Sequence, residues 1–293
     1  MLAPLLLYRG HTDSIFALDW SPAGNMLASG GRDRSVQVWQ ADSGANVCVY
    51  HGHTGPLLSV AWSPDGQLLA SGDTSGEVHI WRARDGVPLQ VYRGHKRWVR
   101  GLAWSPDGQL IASGGDFGDS TVQLWQPDTG QHLLTYTALY RVFAVDWSPD
   151  GQRLAACAFS GGVHSWEART GDRVYKYQGH TGPVYTLGWS PAGSLASAGK
   201  DGQVQIWQEQ NPNPSLVYQG HTQAVKTLHW SPDGTSIASG GDDTILRIWQ
   251  ASTGADADTY AGHSTWIRTL SWSPDGRSLA SASGHVVHVC TLG

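Results

Sequence analysis

An all-β repeat fold of seven four-stranded antiparallel units is predicted for this chain by three regularities of its sequence. The frame Trp-Ser-Pro-x-Gly occurs seven times, beginning at Trp20, Trp62, Trp104, Trp147, Trp189, Trp230 and Trp272, with successive spacings of 42, 42, 43, 42, 41 and 42 residues. Every period repeats one layout: an apolar strand ending in that Trp, the Ser-Pro-x-Gly turn, a Leu-Ala-Ser-like strand, a short polar turn, a Val-x-Ile-Trp-like strand, and a last strand ending in Tyr. From the third-strand Trp to that Tyr the distance is 11 residues in six periods, from Trp39 and Tyr50 through to Trp249 and Tyr260. Short strands of alternating pattern joined by tight turns make one antiparallel sheet per period.

The seventh period lacks a fourth strand of its own. If the numbering runs on from Gly293 to Met1, however, Cys290 to Tyr8 is again 11 residues, and Pro4-Leu-Leu-Leu-Tyr-Arg-Gly-His11 copies Pro88-Leu-Gln-Val-Tyr-Arg-Gly-His95. Residues 4–9 are therefore expected to form the outer strand of the last unit, pairing the two ends of the sequence and removing an open sheet edge. Seven units use the 293 positions, so one domain over residues 1–293 is expected, without room among them for a kinase, nucleotide-binding or protease domain.

A period near 42 with four strands, Gly-His before the first and Trp closing the third, resembles the WD40 β-propeller family over the whole chain. The resemblance implies a seven-bladed propeller. It also implies a buried hydrogen-bonded network in each blade, formed by a His before the first strand, a Ser in the second, an Asp in the next turn and the third-strand Trp. By offset, blade 1 supplies His11, Ser29, Asp33 and Trp39, and blade 3 His95, Ser113, Asp119 and Trp125. Blade 5 supplies His180, Ser197, Asp201 and Trp207, and blade 6 His221, Ser239, Asp243 and Trp249. Blade 2 carries Ser75 where the Asp is expected, and blade 7 has His263 and Ser281 but a shortened turn and Cys290 in place of Trp. Blade 4 has lost the set together, with Ala138 or Leu139, Ala156 and Ser160 at the three polar positions and only Trp166 kept, as the cost of a half-satisfied buried network would favour. The family's Asp after the third-strand Trp is absent throughout, the blades reading Trp-Gln, Trp-Arg or Trp-Glu.

With 40% apolar and 15% charged residues the composition is that of a soluble globular protein, and a net charge of −5 gives no pull toward nucleic acid. Cys48, Cys157 and Cys290 are odd in number and fall in strands, so buried free thiols in a reducing compartment are expected. Leu2 to Leu7 lacks a basic leader and matches an internal strand, and no run approaches the roughly 20 apolar residues of a membrane helix. A cytoplasmic monomer is the expectation, with no membrane and no nucleic-acid partner. No cofactor, metal or catalytic residue is expected either. Six of the 13 histidines belong to the repeat frame, and His285 lies on the opposite strand face from His288 and Cys290. There is no phosphate loop or Gly-x-Ser-x-Gly elbow, and the Ser, His and Asp of the network are scaffold.

Subtracting the frame exposes what it does not explain. It accounts for 13 of 15 Trp and seven of ten Tyr, leaving Phe16, Trp98, Phe117, Tyr140, Phe143, Phe159, Tyr175, Tyr185 and Trp266. All but Tyr175 fall in segments that, in the family, crowd the rim called the top. Charge is sorted with them: between each His position and the fourth residue before each first-strand Trp lie Lys96, Arg97, Arg100, Arg141, Lys226 and Arg268 against Asp13 alone. Trp98-Val-Arg100 and Trp266-Ile-Arg268 repeat one motif in blades 3 and 7. Aromatic and Arg residues are the side chains that most often dominate interface energy.

The expected function is a non-catalytic scaffold or sensor that presents Phe16, Trp98, Arg100, Tyr140, Arg141, Phe143, Phe159, Tyr185, Lys226, Trp266 and Arg268 to a protein or peptide bearing acidic or phosphorylated groups. The repeat spellings resemble WD40 repeats of bacterial type, which often stand beside signalling kinases or ATPases. The alternative is a small-ligand or glycan receptor at the channel mouth, using the same aromatics for stacking and Arg for an anion. A bland reading competes for each residue: those four before the Trp share a face with core Leu and Val and could be packing. Blade 4 is expected to be the most irregular part of the rim.

Overall fold

A computed structural model describes residues 4–137, 139–211 and 213–292. Twenty-eight strands, β1 to β28 in chain order, form seven separate four-stranded antiparallel sheets. The first blade is β2 (Ile15–Trp20), β3 (Met26–Gly31), β4 (Val36–Gln40) and β5 (Asn46–Tyr50), in that spatial order, and the next five repeat it. The last is closed by β1 (Pro4–Tyr8), which lies outside β28 (Val286–Thr291), with Leu6 opposite Val289 and Tyr8 opposite Val287. The N-terminal strand thus completes the seventh blade, as its spacing predicts.

The repeat frame is readable as hydrogen bonding. In the Trp62-Ser-Pro-Asp-Gly66 turn, Ser63 Oγ accepts from the Leu68 N–H at 2.9 Å and donates to Asp65 Oδ1 at 2.5 Å. Gly66 takes φ +68°, a left-handed conformation that costs glycine nothing. The first-strand indoles then join the ring. Trp62 Nε1 donates to the Asp19 carbonyl at 3.3 Å, Trp104 Nε1 to Ala61 at 3.1 Å and Trp20 Nε1 to Ser271 at 3.0 Å, each the residue before the preceding blade's Trp.

Outer strands are stitched differently. Each of six outer-strand tyrosines stacks on the third-strand Trp of the following blade, with ring centroids 4.0 to 4.7 Å apart. The Tyr8 hydroxyl continues past the ring to Gln37 Oε1 at 2.5 Å. This explains the glycine in Tyr-Arg-Gly-His: a Cβ on Gly10 would stand 2.3 Å from the Tyr8 hydroxyl oxygen, where no side chain fits. In blade 7 Cys290 replaces Trp, and the Tyr260 hydroxyl bonds His288 Nδ1 at 2.7 Å, as Tyr50 bonds His79 Nδ1 at 2.8 Å.

Five of the seven blades carry the His, Ser, Asp and Trp of the relay, one more than the spacing predicts, and four of them make every bond. In blade 1, His11 Nδ1 lies 2.7 Å from Asp33 Oδ2, His11 Nε2 2.8 Å from Ser29 Oγ, and Trp39 Nε1 donates to the same Oγ at 3.1 Å. Trp can only donate and a carboxylate can only accept, so the Trp N–H is directed at Ser Oγ and the His Nδ1–H at the Asp. Blade 2 corrects the sequence reading. Ser75 does not mark a missing acid, because Asp73, two residues after Ser71 rather than four, lies 3.0 Å from His53 Nδ1 and also accepts from Ser75. In blade 7, Ser283 takes the same place, 2.9 Å from His263 Nδ1. Blade 3 is looser: His95 Nδ1 stands 3.3 Å from Asp119 Oδ1 without hydrogen-bond geometry.

Blade 4 corrects another expectation. The polar set is not lost cleanly, because the fully buried Trp166 keeps an indole N–H with no partner. Leu139 is buried at the place expected of the His, and Ala138 lies outside the described residues. Of the three cysteines, Cys157 and Cys290 are buried and free, whereas Cys48 is free but only half-buried.

Candidate binding face at the channel mouth

In every blade the innermost strand carries a β-bulge at one residue. Ile15 pairs with Gly31 and Ala17 with Gly30, which leaves Phe16 as the extra residue. The same skip falls on Leu58, Arg100, Phe143, Tyr185, Lys226 and Arg268 in the other blades. A bulge bends the strand and re-aims one side chain. All seven bulge residues line one cavity of about 350 Å³ at an end of the central channel. Beyond them lie the Leu and Val two residues before each Trp, of which Leu18, Val60 and Leu102 line the cavities at both ends. The channel's other end is a larger funnel of about 700 Å³, walled by the seven first-strand Trp and five Pro of the turns, with Asp19, Asp146 and His229 on its lining.

The eleven residues singled out by subtraction fall into contacting groups around the 350 Å³ mouth. The Arg100 guanidinium lies 5.8 Å from the Trp98 ring and 5.3 Å from Phe143, and that of Arg141 lies 5.7 Å from Phe143 and 4.9 Å from Phe159. Phe159 meets Tyr140 edge to face at 6.2 Å, while Phe143 packs against Tyr185 at 5.4 Å. Lys226 Nζ sits 3.8 Å over the Tyr185 ring. Arg268 closes the circle, 4.9 Å from Phe16 and 5.0 Å from Trp266. Trp98, Phe117, Tyr140, Phe159 and Trp266 are exposed, whereas Phe143 is buried and serves as a wall rather than an accessible anchor. Tyr175, the aromatic that falls outside the rim segments, packs against Arg153 instead.

The electrostatics differ from the sequence count. Asp116 has no exposed side-chain surface, and it accepts from Arg100 Nε at 2.9 Å and from Arg141 Nε at 2.8 Å. Its hydrogen bond and charge hold the Arg141 guanidinium above its ordinary pKa. Lys226 Nζ is 3.4 Å from Asp242 Oδ2. The counting window stopped short of both acids, because they sit in second-to-third-strand turns that fold over the mouth, so six cations against one overstates the positive charge. No signal in the first-strand segments could have found them; the Asp that follows Gly-Gly in blades 3 and 6 was the only trace. Arg141 (φ +57°) and Ser120 (φ +60°) are both left-handed, and the Arg141 N–H donates to Ser120 Oγ at 3.1 Å, so this corner of the rim stores backbone strain.

A closed ring of seven four-stranded blades, each built on one repeated hydrogen-bonding frame, defines a repeat-built β-propeller. The chain belongs to the WD40 family: the WD domain, G-beta repeat, matches residues 2–40, 44–82, 86–126, 130–167, 171–208, 212–250 and 255–290. No match was found among curated proteins. The matched unit is offset from the blade, since residues 2–40 hold β1 together with β2, β3 and β4. Closure by the N-terminal strand is therefore a property of the repeat itself. WD40 propellers commonly serve as protein-interaction scaffolds and are generally non-catalytic. Among the described residues, no group of three His, Cys, Asp or Glu could hold a metal ion.

Proposed function

We infer that this propeller is a non-catalytic module that binds a protein or peptide across the face around the bulge-lined mouth. The observation that carries this reading is the exposure of five large aromatic side chains, Trp98, Phe117, Tyr140, Phe159 and Trp266, in segments flanking one channel mouth and interleaved with Arg100, Arg141 and Arg268. Isolated exposed aromatics are ordinary, but a rim of them around a cavity is surface whose desolvation favours a partner. The Lys and Arg side chains favour a partner with acidic or phosphorylated groups, and the three unpaired cysteines favour a reducing, cytoplasmic setting.

The test is affinity capture from native lysate with the wild-type chain beside a Trp98→Ser, Tyr140→Ser, Phe159→Ser, Trp266→Ser variant. These residues are exposed, so the melting temperature should stay within about 2 °C of wild type. A partner held by the wild type and lost by the variant supports the rim; a partner held equally by both refutes it. The mouth cavity itself favours a second reading, a small ligand or glycan stacked among Phe16, Tyr185 and Trp266. A thermal-shift screen separates the two, because a ligand that binds only the folded chain raises the melt in the absence of any peptide.

A further inference from the structure

Four cations surround the mouth, and the structure distinguishes between them. Arg100 and Arg141 share one buried carboxylate, Asp116, and Lys226 is paired with Asp242. Arg268 has no carboxylate ion pair and no hydrogen bond among the described residues, although its side chain is half-buried at the cavity wall between Phe16 and Trp266. Burial, and then the Arg100 charge, lower its pKa, and the Asp242 charge opposes them. Asp242 does not quench it: one oxygen faces Lys226, and the other, Oδ1, is buried with no hydrogen-bond partner. A half-buried guanidinium with no ion pair and no hydrogen bond has donors left for an acceptor.

The shape of the vacancy in its bonding sets the class of group. The Arg268 Cζ lies over two rings, about 5 Å from each centroid, while the N–H donors of its fork have no hydrogen-bond partner among the described residues. A guanidinium fork with free donors matches a planar acceptor with two oxygens at carboxylate spacing. Its neighbours also limit the charge it receives. Three of the four mouth cations are already offset by two acids, which leaves a local surplus suited to a small anionic charge rather than to a cluster of phosphates.

Resting on the rim-binding reading, we propose that Arg268 is the anion-recognising residue of the mouth and that it takes a carboxylate of the bound peptide. The carboxylate has two sources, an Asp or Glu side chain and a peptide C-terminus. Arg100 and Arg141 are, in this assignment, aromatic-capped walls held in place by Asp116.

The test is an array of immobilised peptides in three sets, probed with the full chain. The first set is amidated with internal Asp or Glu, the second has no acidic side chain but a free C-terminus, and the third is amidated with phosphoserine as its only acid. Binding concentrated in the first or second set is expected and identifies the source. Both Arg268→Gln and Arg268→Lys should weaken it about tenfold or more, since Lys keeps the charge but loses the fork. If Arg268→Gln lowers the melt, Arg268→Lys alone decides. Binding confined to phosphoserine peptides, or indifferent to both Arg268 variants, overturns the assignment while the rim reading stands. Binding that also survives the four-aromatic variant, or no binding to any set, overturns both.

Discussion

Trp166 is the third-strand indole for which blade 4 provides no acceptor, because Ala156 stands where five other blades place the Ser that receives it. A buried N–H without a partner costs about 1–3 kcal/mol. Ala156→Ser would supply the acceptor, and its own hydroxyl could donate to the strand carbonyl opposite, as Ser113 Oγ does to Gln123 at 3.5 Å. The expected gain is about 1 kcal/mol. A denaturant titration that instead showed a lower midpoint would mean the cavity at Ala156 cannot admit the hydroxyl. In blade 2 the ranking of two neighbours is the test. Asp73 accepts from His53, Gly55, Ser75 and Glu77, so Asp73→Ala should cost about 3 kcal/mol, while Ser75→Ala should cost under about 1 kcal/mol. Equal effects would return the acid's role to the position that spacing assigned. Spacing failed there because it fixes an offset along the chain, whereas the relay needs only a carboxylate at Nδ1. Asp73 ends the same strand as Ser71, and from there it reaches the place that Asp33 reaches from the turn beyond its strand.

Individual strands were more legible than the bends within them. Closure by β1 could be read from the 11-residue interval because one stacking geometry, Tyr on the next blade's Trp, recurs around the ring and fixes that interval. The bulges could not be read: period-two alternation places residues 16 and 18 on one face and says nothing of the partner strand that skips Phe16. Hence alternation alone left packing open as a competing reading of the residues four before each Trp, whereas all seven line the mouth. The same logic makes β1 testable as an element. Removing residues 1–9 would strip the outer edge from β28, uncover the face of Trp39 that Tyr8 covers and leave Gln37 and Asn46 without the Tyr8 hydroxyl. Loss of one aromatic stack and a four-residue ladder should lower the melting temperature by about 5 °C or more. An unchanged melt would show that the seventh blade holds without its fourth strand.

Across the whole ring, buried titratable groups oppose one another, and the pH profile of stability should reveal it. Burial, and then the nearby Lys176, lower His164 to about 4; burial, and then His288, lower His263 to about 3. Burial lowers His79 and His288 as well. These rings fold neutral, so their contribution is full above the ordinary His value of about 6.5 and is lost as pH falls toward 4. Asp19 and Asp146 act in the other sense. Enclosure in the channel funnel raises them to about 7 and about 6, against the pull of the backbone N–H groups of Trp62 and Trp189, whose bonds of 2.9 and 2.8 Å tie one blade to the next. Their contribution is full below about 3.9 and is lost as pH rises through 6 to 7. The relay acids enter last: although burial opposes it, the His11 and His95 partners bring Asp33 and Asp119 down to about 2, and their contribution is lost only as pH falls from about 4 toward that value. Between pH 4 and 6.5 the funnel acids therefore gain what the histidines lose, and the wild-type melt should fall gently on acidification before dropping steeply below pH 4. Asp19→Asn with Asp146→Asn removes the opposing pair but leaves an amide oxygen to accept from each Trp N–H. Its melting temperature should equal or exceed wild type at pH 8 and fall below it at pH 4.5, so that the two profiles cross. Parallel profiles measured at pH 8, 6 and 4.5 would mean that Asp19 and Asp146 titrate as ordinary carboxylates and that the histidines alone set the acid limit of the ring.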